Sequence, residues 1–225
     1  MTGIHSLDRP VWNALTTRQA SLAVGDARAW RFRPEINLFA AAADPRDASA
    51  IAALLPEQGT IGLVETDAPP PVPGARIVSQ ATVNQMVAER SPGVAEGFDY
   101  LMLGDADAAE MLALATLTEP GPFFAETPRM GHFIGTRENG RLVAMAGQRM
   151  RVPGFTEVSG VCTHPDSRGR GYAGKLMRVL VDRIVGEGDA AFLHVYPHNA
   201  GAIGLYETLG FRFRAQLTFT VLSRA

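Results

Sequence analysis

The chain has 225 residues, of which 46% are hydrophobic and 20% are charged, so it is long enough and apolar enough to bury a core. Its formal net charge is −2, with both signs spread along the sequence, which provides no electrostatic case for binding nucleic acid or an anionic membrane. The one cysteine, Cys162, excludes an intrachain disulfide and a cysteine-rich metal cluster, and the five histidines lack metal-ligand spacing, so we expect no metal.

The composition also bears on where the protein works. No apolar run approaches the length of a membrane span, and the N-terminus lacks the pattern of a secretion signal. A cytoplasmic protein is therefore expected. Lys175 is the single lysine among 21 basic residues, and together with the abundant Ala, Gly and Pro this bias indicates a GC-rich bacterial genome.

The first 97 residues have the pattern of an α/β region but contain no motif that carries chemistry. The predicted elements, in chain order, are a helix over Trp12–Val24, strands at Ala29–Phe32 and Leu38–Ala43, a helix from Asp44-Pro45 to Leu55, a strand at Thr60–Glu65, and strand-forming residues with a helical tail over Arg76–Glu89. We interpret residues 1–97 as an N-terminal α/β region, and leave open that it is a diverged, partial copy of the unit that follows.

The second unit, residues 98–225, has a clearer order of strands and helices. The predicted elements are a strand at Tyr100–Leu103, a helix at Ala106–Leu117, a hairpin of Phe133–Thr136 and Leu142–Met150 around Asn139-Gly140, a strand at Phe155–Thr163, a helix at Gly171–Gly186, a strand at Ala191–Tyr196, a helix at Ala200–Leu209, and strands at Phe211–Arg214 and Leu217–Leu222. This order predicts an α/β protein with a mixed sheet.

A glycine-rich turn, Arg168–Gly174, joins a predicted strand to an amphipathic helix. The first turn of a helix has unpaired N–H groups and a partial positive charge, so it attracts anions. Gly169 and Gly171 permit positive φ, and Arg168 and Arg170 add positive charge. The alternative is a plain strand–helix connection with two solvated arginines, but the position of the glycines favours a phosphate site. The spacing of a Walker A loop is absent.

Two motifs in this part of the chain resemble those of the GNAT superfamily of acyl-CoA N-acyltransferases. Arg168-x-x-Gly171-x-Ala173 resembles that family's signature for the pyrophosphate of coenzyme A, and the segment from Asn199 through Tyr206 to Phe211 resembles its second conserved element. The resemblance covers residues 98–225 and is strongest to the FR47-like type. It implies the GNAT fold, with an additional N-terminal region, and acetyl-CoA as co-substrate.

The resemblance also implies roles for individual residues. The coenzyme would be bound by main-chain groups of one strand, by the whole glycine-rich turn, and by the asparagine and tyrosine of the next helix: Val161, Cys162, Thr163, Arg168, Gly169, Arg170, Gly171, Tyr172, Ala173, Gly174, Asn199 and Tyr206. Tyr206 would lie near the sulfur of the coenzyme and act as the general acid for the departing thiolate. Its alternative is an aromatic residue that covers the core.

Glu157 is the predicted general base, because the histone-acetyltransferase branch of the superfamily has a glutamate at the matching distance from the pyrophosphate motif. A carboxylate on a partly buried strand has its pKa raised toward the working range. Strand alternation would place Glu157 on the same face as Val161 and Thr163. The alternative is an exposed carboxylate at the end of the strand.

The acceptor would lie beside the loop Glu119–Arg129, where Phe123 and Phe124 are either lid residues or anchors of the loop, and Glu126 could pair with a cation. The predicted activity is transfer of an acetyl group to a primary amine, on a small molecule or a peptide N-terminus, directly within a ternary complex. The alternatives are a coenzyme-binding regulatory module and an acyltransferase with another donor. The acceptor, the role of residues 1–97 and a homodimer are left open.

Overall fold

The computed structural model describes residues 5–94 and 97–225. Its α-helices are α1 (Pro10–Thr16), α2 (Ala48–Ala53), α3 (Ala108–Thr118), α4 (Tyr172–Gly186) and α5 (Ala200–Thr208). Its strands are β1 (Ala23–Asp26), β2 (Ala29–Phe32), β3 (Ala40–Ala42), β4 (Ile61–Glu65), β5 (Ala75–Ala88), β6 (Leu101–Leu103), β7 (Phe133–Glu138), β8 (Arg141–Val152), β9 (Phe155–Thr163), β10 (Ala190–Val195) and β11 (Arg212–Arg224).

The strands form one small and one large sheet. β1, β2 and β3 make an antiparallel three-stranded sheet, and the other eight strands are ordered β4-β11-β5-β10-β9-β8-β7-β6. In the large sheet every pair is antiparallel except β9 and β10, which are parallel. The predicted mixed sheet is therefore confirmed.

The large sheet contains strands from both sides of residue 97. β5 lies between β10 and β11, and β4 forms the edge beyond β11. A core cluster also joins the two parts of the chain, because Leu7 and Val11 pack with Met150 and Phe192. The N-terminal third thus extends the sheet and shares its core. Whether it is a diverged copy of the same unit stays a prediction.

Several predicted boundaries are wrong in the N-terminal third. The helix predicted over Trp12–Val24 ends at Thr16, and Val24 belongs to β1. The next helix begins at Ala48, where Asp47 accepts a hydrogen bond from the N–H of Ala50 and so provides the cap that was expected from Asp44. Arg76–Glu89 has no helical tail, because β10 and β11 pair with β5 on both sides.

The C-terminal elements lie close to their predicted positions. The hairpin turns at Asn139 and Gly140, which have φ angles of 50° and 82°. The two predicted last strands form the single strand β11, with an irregularity between Phe213 and Ala215. A β-bulge keeps a strand paired while it bends, which explains why the sequence pattern breaks there.

The two faces of the large sheet are covered by different helices. On β10, Ala191, Leu193 and Val195 pack in the cluster beneath α4, whereas Phe192 packs on the opposite face with α1. Alternation along the strand therefore places His194 on the face of α1. This separation of the faces decides which groups can meet in the site.

β9 and β10 are paired only near their beginnings. The register extends from Phe155 opposite Ala190 to Glu157 opposite Phe192, and the pairing ends there. Further along β9, Gly160 has a φ of +62° at a register shift against β8. The two strands diverge beyond this point, and the gap between them is where the site lies.

Candidate functional site

The glycine-rich turn leads from the end of β9 into α4. Gly169 and Gly171 both have left-handed backbones, with φ of 79° and 77°, and a Cβ atom on Gly169 would meet nothing within 4 Å. Glycine is thus required at 169 by the backbone and not by lack of space. The N–H groups of Tyr172, Ala173 and Gly174 have no hydrogen-bond partner within the described residues, so the start of α4 can bind an anion.

The two arginines of this turn have different surroundings. The Nη1 of Arg170 lies 2.5 Å from Oε1 of Glu138, and the same carboxylate accepts hydrogen bonds from the hydroxyls of Tyr172 and Ser167. The Tyr172 hydroxyl, Ser167 and Arg170 keep the pKa of Glu138 below its usual range. Within the described residues, the Arg168 side chain makes a single long hydrogen bond, from Nε to the Thr163 carbonyl at 3.4 Å. Arg168 is therefore the more available of the two for a phosphate.

A cavity of about 560 Å³ opens beside the start of α4. Its lining comes from both faces of the sheet. Val161, Ala173, Asn199 and Tyr206 belong to the side of α4 and α5, whereas Phe39, Val83, Phe219, Arg149, His194 and the chain from Glu119 to Pro122 belong to the other side. The cavity thus passes through the gap between β9 and β10, and it is large enough for a small ligand.

Asn199 and Tyr206 both line this cavity from α5, as their spacing predicts. The Oδ1 of Asn199 accepts a hydrogen bond from the N–H of Ala202 at 3.2 Å, so this residue caps the helix. The hydroxyl of Tyr206 makes no hydrogen bond with the rest of the described chain, and burial raises its pKa. Tyr206 is therefore protonated at neutral pH and free to donate.

The bulge at Gly160 changes which side chains of β9 share a face. Val158 and Val161 both pack in the cluster beneath α4, although strict alternation would separate them. The prediction that Glu157 and Val161 share a face is thus wrong, because the extra residue shifts the pattern. Cys162 packs near α3, where burial raises the pKa of its thiol to about 11. The main-chain roles of Val161, Cys162 and Thr163 stay predictions.

Glu157 is fully buried and is held by three partners. Nε and Nη2 of Arg149 each lie 2.8 Å from a different carboxylate oxygen, and Nδ1 of His194 lies 2.8 Å from Oε1. The N–H of Met150 adds a longer bond of 3.3 Å. Burial opposes ionisation, but Arg149 and His194 outweigh it and lower the pKa of Glu157 to about 2. Glu157 is therefore neither exposed nor raised in pKa, contrary to both expectations.

The hydrogen bonds beyond His194 determine its tautomer. Gln85 accepts from Arg214 at Oε1 and donates from Nε2 to the carbonyl of Leu7, at 2.8 and 3.0 Å. Its Nε2 also lies 3.1 Å from Nε2 of His194. Because the amide nitrogen can only donate, His194 accepts there and carries its proton on Nδ1, facing Glu157. Both ring nitrogens of His194 are thus engaged by hydrogen bonds.

The loop after α3 is anchored by Phe123. Its ring packs edge-on against Phe133, with centroids 5.7 Å apart. Glu126 is paired with Arg129 at 3.0 Å, so its charge is already compensated. Glu119, which has a φ of 49°, lines the cavity with an exposed carboxylate.

Sequence reasoning missed Arg149, Gln85 and the N-terminal wall of the cavity. Arg149 had a signal, because it is the single charged residue in the mostly apolar segment Leu142–Met150. Phe39 and Val83 had none, since their approach to the cavity depends on β5 entering the large sheet.

Residues 5–94 and 97–225 contain no group of three or more His, Cys, Asp or Glu side chains placed to hold a metal ion. Within the same ranges, none of the helices is both long enough and apolar enough to cross a membrane.

Comparison with known proteins identifies the family. The family model described as FR47-like protein matches residues 133–220. A crystal structure of a GNAT-family protein from Novosphingobium aromaticivorans DSM 12444, provisionally named an acetyltransferase, is 45% identical, with 99% of this chain and 100% of that chain covered and a TM-score of 0.91. No curated protein matches the chain.

More distant structures agree in fold alone. A GCN5-related N-acetyltransferase from Kribbella flavida is 20% identical, with 100% of this chain and 96% of that chain covered and a TM-score of 0.61. A GCN5-related N-acetyltransferase-like protein from Streptococcus suis 89/1591 is 15% identical, with 96% and 92% covered and a TM-score of 0.56.

The gap between two parallel strands, the free helix start beside it and the tyrosine across it form one site. The chain belongs to the GNAT family of acetyltransferases, and its predicted fold and its FR47-like type are confirmed.

Proposed function

We propose that the protein is an acetyl-CoA-dependent N-acetyltransferase, which transfers an acetyl group to a primary amine directly within a ternary complex. The observation that carries this proposal is the cavity through the sheet. The start of α4 and Tyr206 lie on one side of this space, and on the other lies the proposed acceptor wall: Phe39, Val83, Arg149, His194, Phe219 and the chain from Glu119 to Pro122. A thioester and an amine could therefore meet there without a covalent intermediate on the enzyme.

The coenzyme would lie on the side of α4 and α5. The unpaired N–H groups of Tyr172, Ala173 and Gly174 would bind the pyrophosphate, with Arg168 adding charge. The free main-chain groups of β9 beyond Gly160 would pair with the pantetheine arm, since β10 has diverged there. This arrangement would bring the thioester toward Tyr206.

The reaction forms one bond and breaks one. The amine nitrogen attacks the thioester carbonyl, the carbon–sulfur bond breaks, and the thiolate takes a proton from the Tyr206 hydroxyl, whose pKa is raised by burial. The amine gives up its proton to solvent in the open cavity. Tyr206 then regains a proton from solvent, which closes the cycle.

The proposed role of Glu157 is to hold Arg149 and His194 in place. A carboxylate whose pKa is lowered to about 2 is a weak base, and its full burial separates it from the acceptor. Its assignment as general base stays a prediction, and the geometry favours the structural role. His194 offers no free lone pair in this arrangement, because Gln85 donates to it.

The test is thiol release from acetyl-CoA in the presence of a panel of amines, with mass spectrometry of the product. We expect an N-acetylated amine in equimolar amount with the thiol. Binding of acetyl-, succinyl- and long-chain acyl-CoA, measured by thermal shift, ranks the donors. Tight binding of acetyl-CoA with no turnover on any amine would instead support a regulatory module.

A further inference from the structure

Arg149 is a largely buried cation that uses two of its five N–H donors within the described chain. It is 7% exposed, and its Nε and Nη2 bind Glu157 along one edge of the guanidinium. The two hydrogens on Nη1 and the second on Nη2 have no acceptor within the described residues. These N–H groups are not among the fully buried, unpartnered atoms of the described chain, so water reaches them from the cavity and a ligand with matching acceptors can take its place.

The outer edge of Arg149 faces the cavity. Arg149 lines the cavity together with Tyr206, and a Cβ atom on Gly121 would lie 3.9 Å from its Nη1. One face of the guanidinium is covered by the ring of Phe39, with 4.9 Å from Cζ to the ring centroid. The side chain is thus fixed by Glu157 and Phe39, and it presents two parallel N–H donors to the acceptor side.

We propose that this edge of Arg149 binds the carboxylate of the acceptor, so that the acceptor is an amino acid and not a simple amine. The inference rests on the proposed N-acetyltransferase function and specifies its substrate class. Two parallel N–H groups match the two oxygens of a carboxylate, and a preorganised guanidinium binds them with little loss of side-chain entropy.

The charges of the cavity also favour a zwitterion. Arg149 and Glu157 already form a neutral pair, so a purely anionic ligand would bring an uncompensated charge into the cavity. A simple ammonium ion would leave the outer edge of Arg149 hydrated and would gain nothing from it. An amino acid satisfies that edge with its carboxylate, and the exposed carboxylate of Glu119 at the cavity attracts its ammonium group.

The experiment compares acetylated products, because free amines of different pKa differ in the fraction that can react. Isothermal titration in the presence of coenzyme A would measure the affinities for N-acetyl-phenylalanine, N-acetyl-phenylalaninamide and N-acetyl-phenethylamine. The corresponding three compounds derived from leucine would be titrated in the same way. We expect the carboxylate to bind at least tenfold more tightly than the compound that lacks it, with the amide in between. Turnover of the parent amines would follow the same order.

Two variants connect this preference to Arg149. In Arg149→Met/Glu157→Gln the buried pair is replaced without leaving a lone charge, and the ratio of affinities should fall to near one. Arg151→Met, a neighbouring arginine on β8 that does not line the cavity, should keep the ratio. If the double variant does not fold, the affinities of the unmodified protein for the three products still decide whether the carboxylate is recognised.

The outcomes separate this inference from the proposed function. Equal affinity for the three products, with acetylation of plain amines intact, overturns the carboxylate site and leaves the acetyltransferase standing. An amide that binds as tightly as the carboxylate likewise overturns the amino-acid assignment. Absence of both acetyl-CoA binding and thiol release with every amine would refute the proposed function itself.

Discussion

The two sides of the cavity are built in different ways. The proposed coenzyme side comes from one continuous motif, Arg168–Gly174, and from a helix that follows it, α5. The proposed acceptor side is assembled from Phe39, from β4, β5, β8, β10 and β11, and from the loop after α3, and it includes Arg149 of the buried pair with Glu157. A local motif can be moved between relatives as a unit, whereas the acceptor wall depends on the whole sheet.

This difference has an energetic consequence. The coenzyme side uses backbone N–H groups and positive φ at glycine, so its function is sensitive to backbone geometry. The acceptor side uses a buried ion pair, which costs desolvation and is stable only when both partners are present. Substitutions on the proposed coenzyme side should mainly alter coenzyme binding. Substitutions in the buried ion pair should also lower the stability of the fold.

The largest effect is expected from Arg149→Met. It removes one partner of a fully buried pair and leaves the Glu157 carboxylate without its main counter-charge, so the free energy of unfolding should fall by about 3–5 kcal/mol. Urea unfolding followed by circular dichroism would measure the loss. Arg149→Met/Glu157→Gln should recover most of it. A single variant as stable as the parent would show that the pair is not energetically coupled.

Acid should expose the same pair. The pKa of Glu157 is lowered from 4.5 to about 2 in the folded state, so its contribution to stability is full above pH 4.5 and is lost as the pH falls from 4.5 toward 2. Thermal unfolding from pH 6 to pH 3 should therefore show a steeper decline in the unmodified protein than in the double variant. Parallel curves would contradict the ionised state of Glu157.

Tyr206→Phe should lower kcat by about 100-fold or more, because general acid catalysis by a positioned side chain contributes at least that much. Coenzyme affinity should stay within about twofold, since the ring is kept and the hydroxyl makes no hydrogen bond with the described chain. Steady-state kinetics and titration with coenzyme A measure the two effects. Tyr196→Phe, a second tyrosine on the cavity, is the matched control. Unchanged kcat in Tyr206→Phe would remove the general-acid assignment.

The sequence signals for the proposed coenzyme side are local. Glycines at 169 and 171, and a seven-residue spacing between Asn199 and Tyr206, are visible without knowing the fold. The environment of Glu157 was not predictable, because it depends on Arg149 across a β-bulge and on His194 from a strand 37 residues later. Those two long-range contacts explain why the pKa of Glu157 is lowered, whereas the sequence predicted a raised pKa.

The N-terminal third shows the same limit from another direction. Its strand-forming pattern over Arg76–Glu89 was visible, but its place between β10 and β11 could not be inferred from local periodicity. That placement brings Val83 to the acceptor wall. The part of the chain with no motif thus provides a share of the cavity wall.

A smaller effect is expected from Gly171→Ala. The residue has a φ of 77° directly before α4, so alanine would strain the turn by about 1–2 kcal/mol or shift the N–H groups of the helix start. We expect coenzyme affinity to fall by about five- to tenfold in titration calorimetry. Gly154→Ala, with a φ of 79° in the turn between β8 and β9, should lose similar stability without losing affinity. Equal losses of affinity in both variants would argue against a specific role for the turn.

The smallest effect is expected from Glu138→Gln, which tests how the hairpin restrains the coenzyme side. The Glu138 carboxylate pairs with Arg170 and accepts from Tyr172, so it both positions these residues and repels a pyrophosphate. Loss of its charge should make coenzyme A bind roughly two- to fivefold more tightly at low salt, as expected for a solvent-exposed pair. Glu187→Gln, which removes the partner of Arg183 at the other end of α4, is the control. Weaker binding of coenzyme A in Glu138→Gln would mean that the positioning of Arg170 by Glu138 outweighs the repulsion between Glu138 and the pyrophosphate. The glycine-rich turn would then depend on the hairpin, just as the acceptor wall depends on the large sheet.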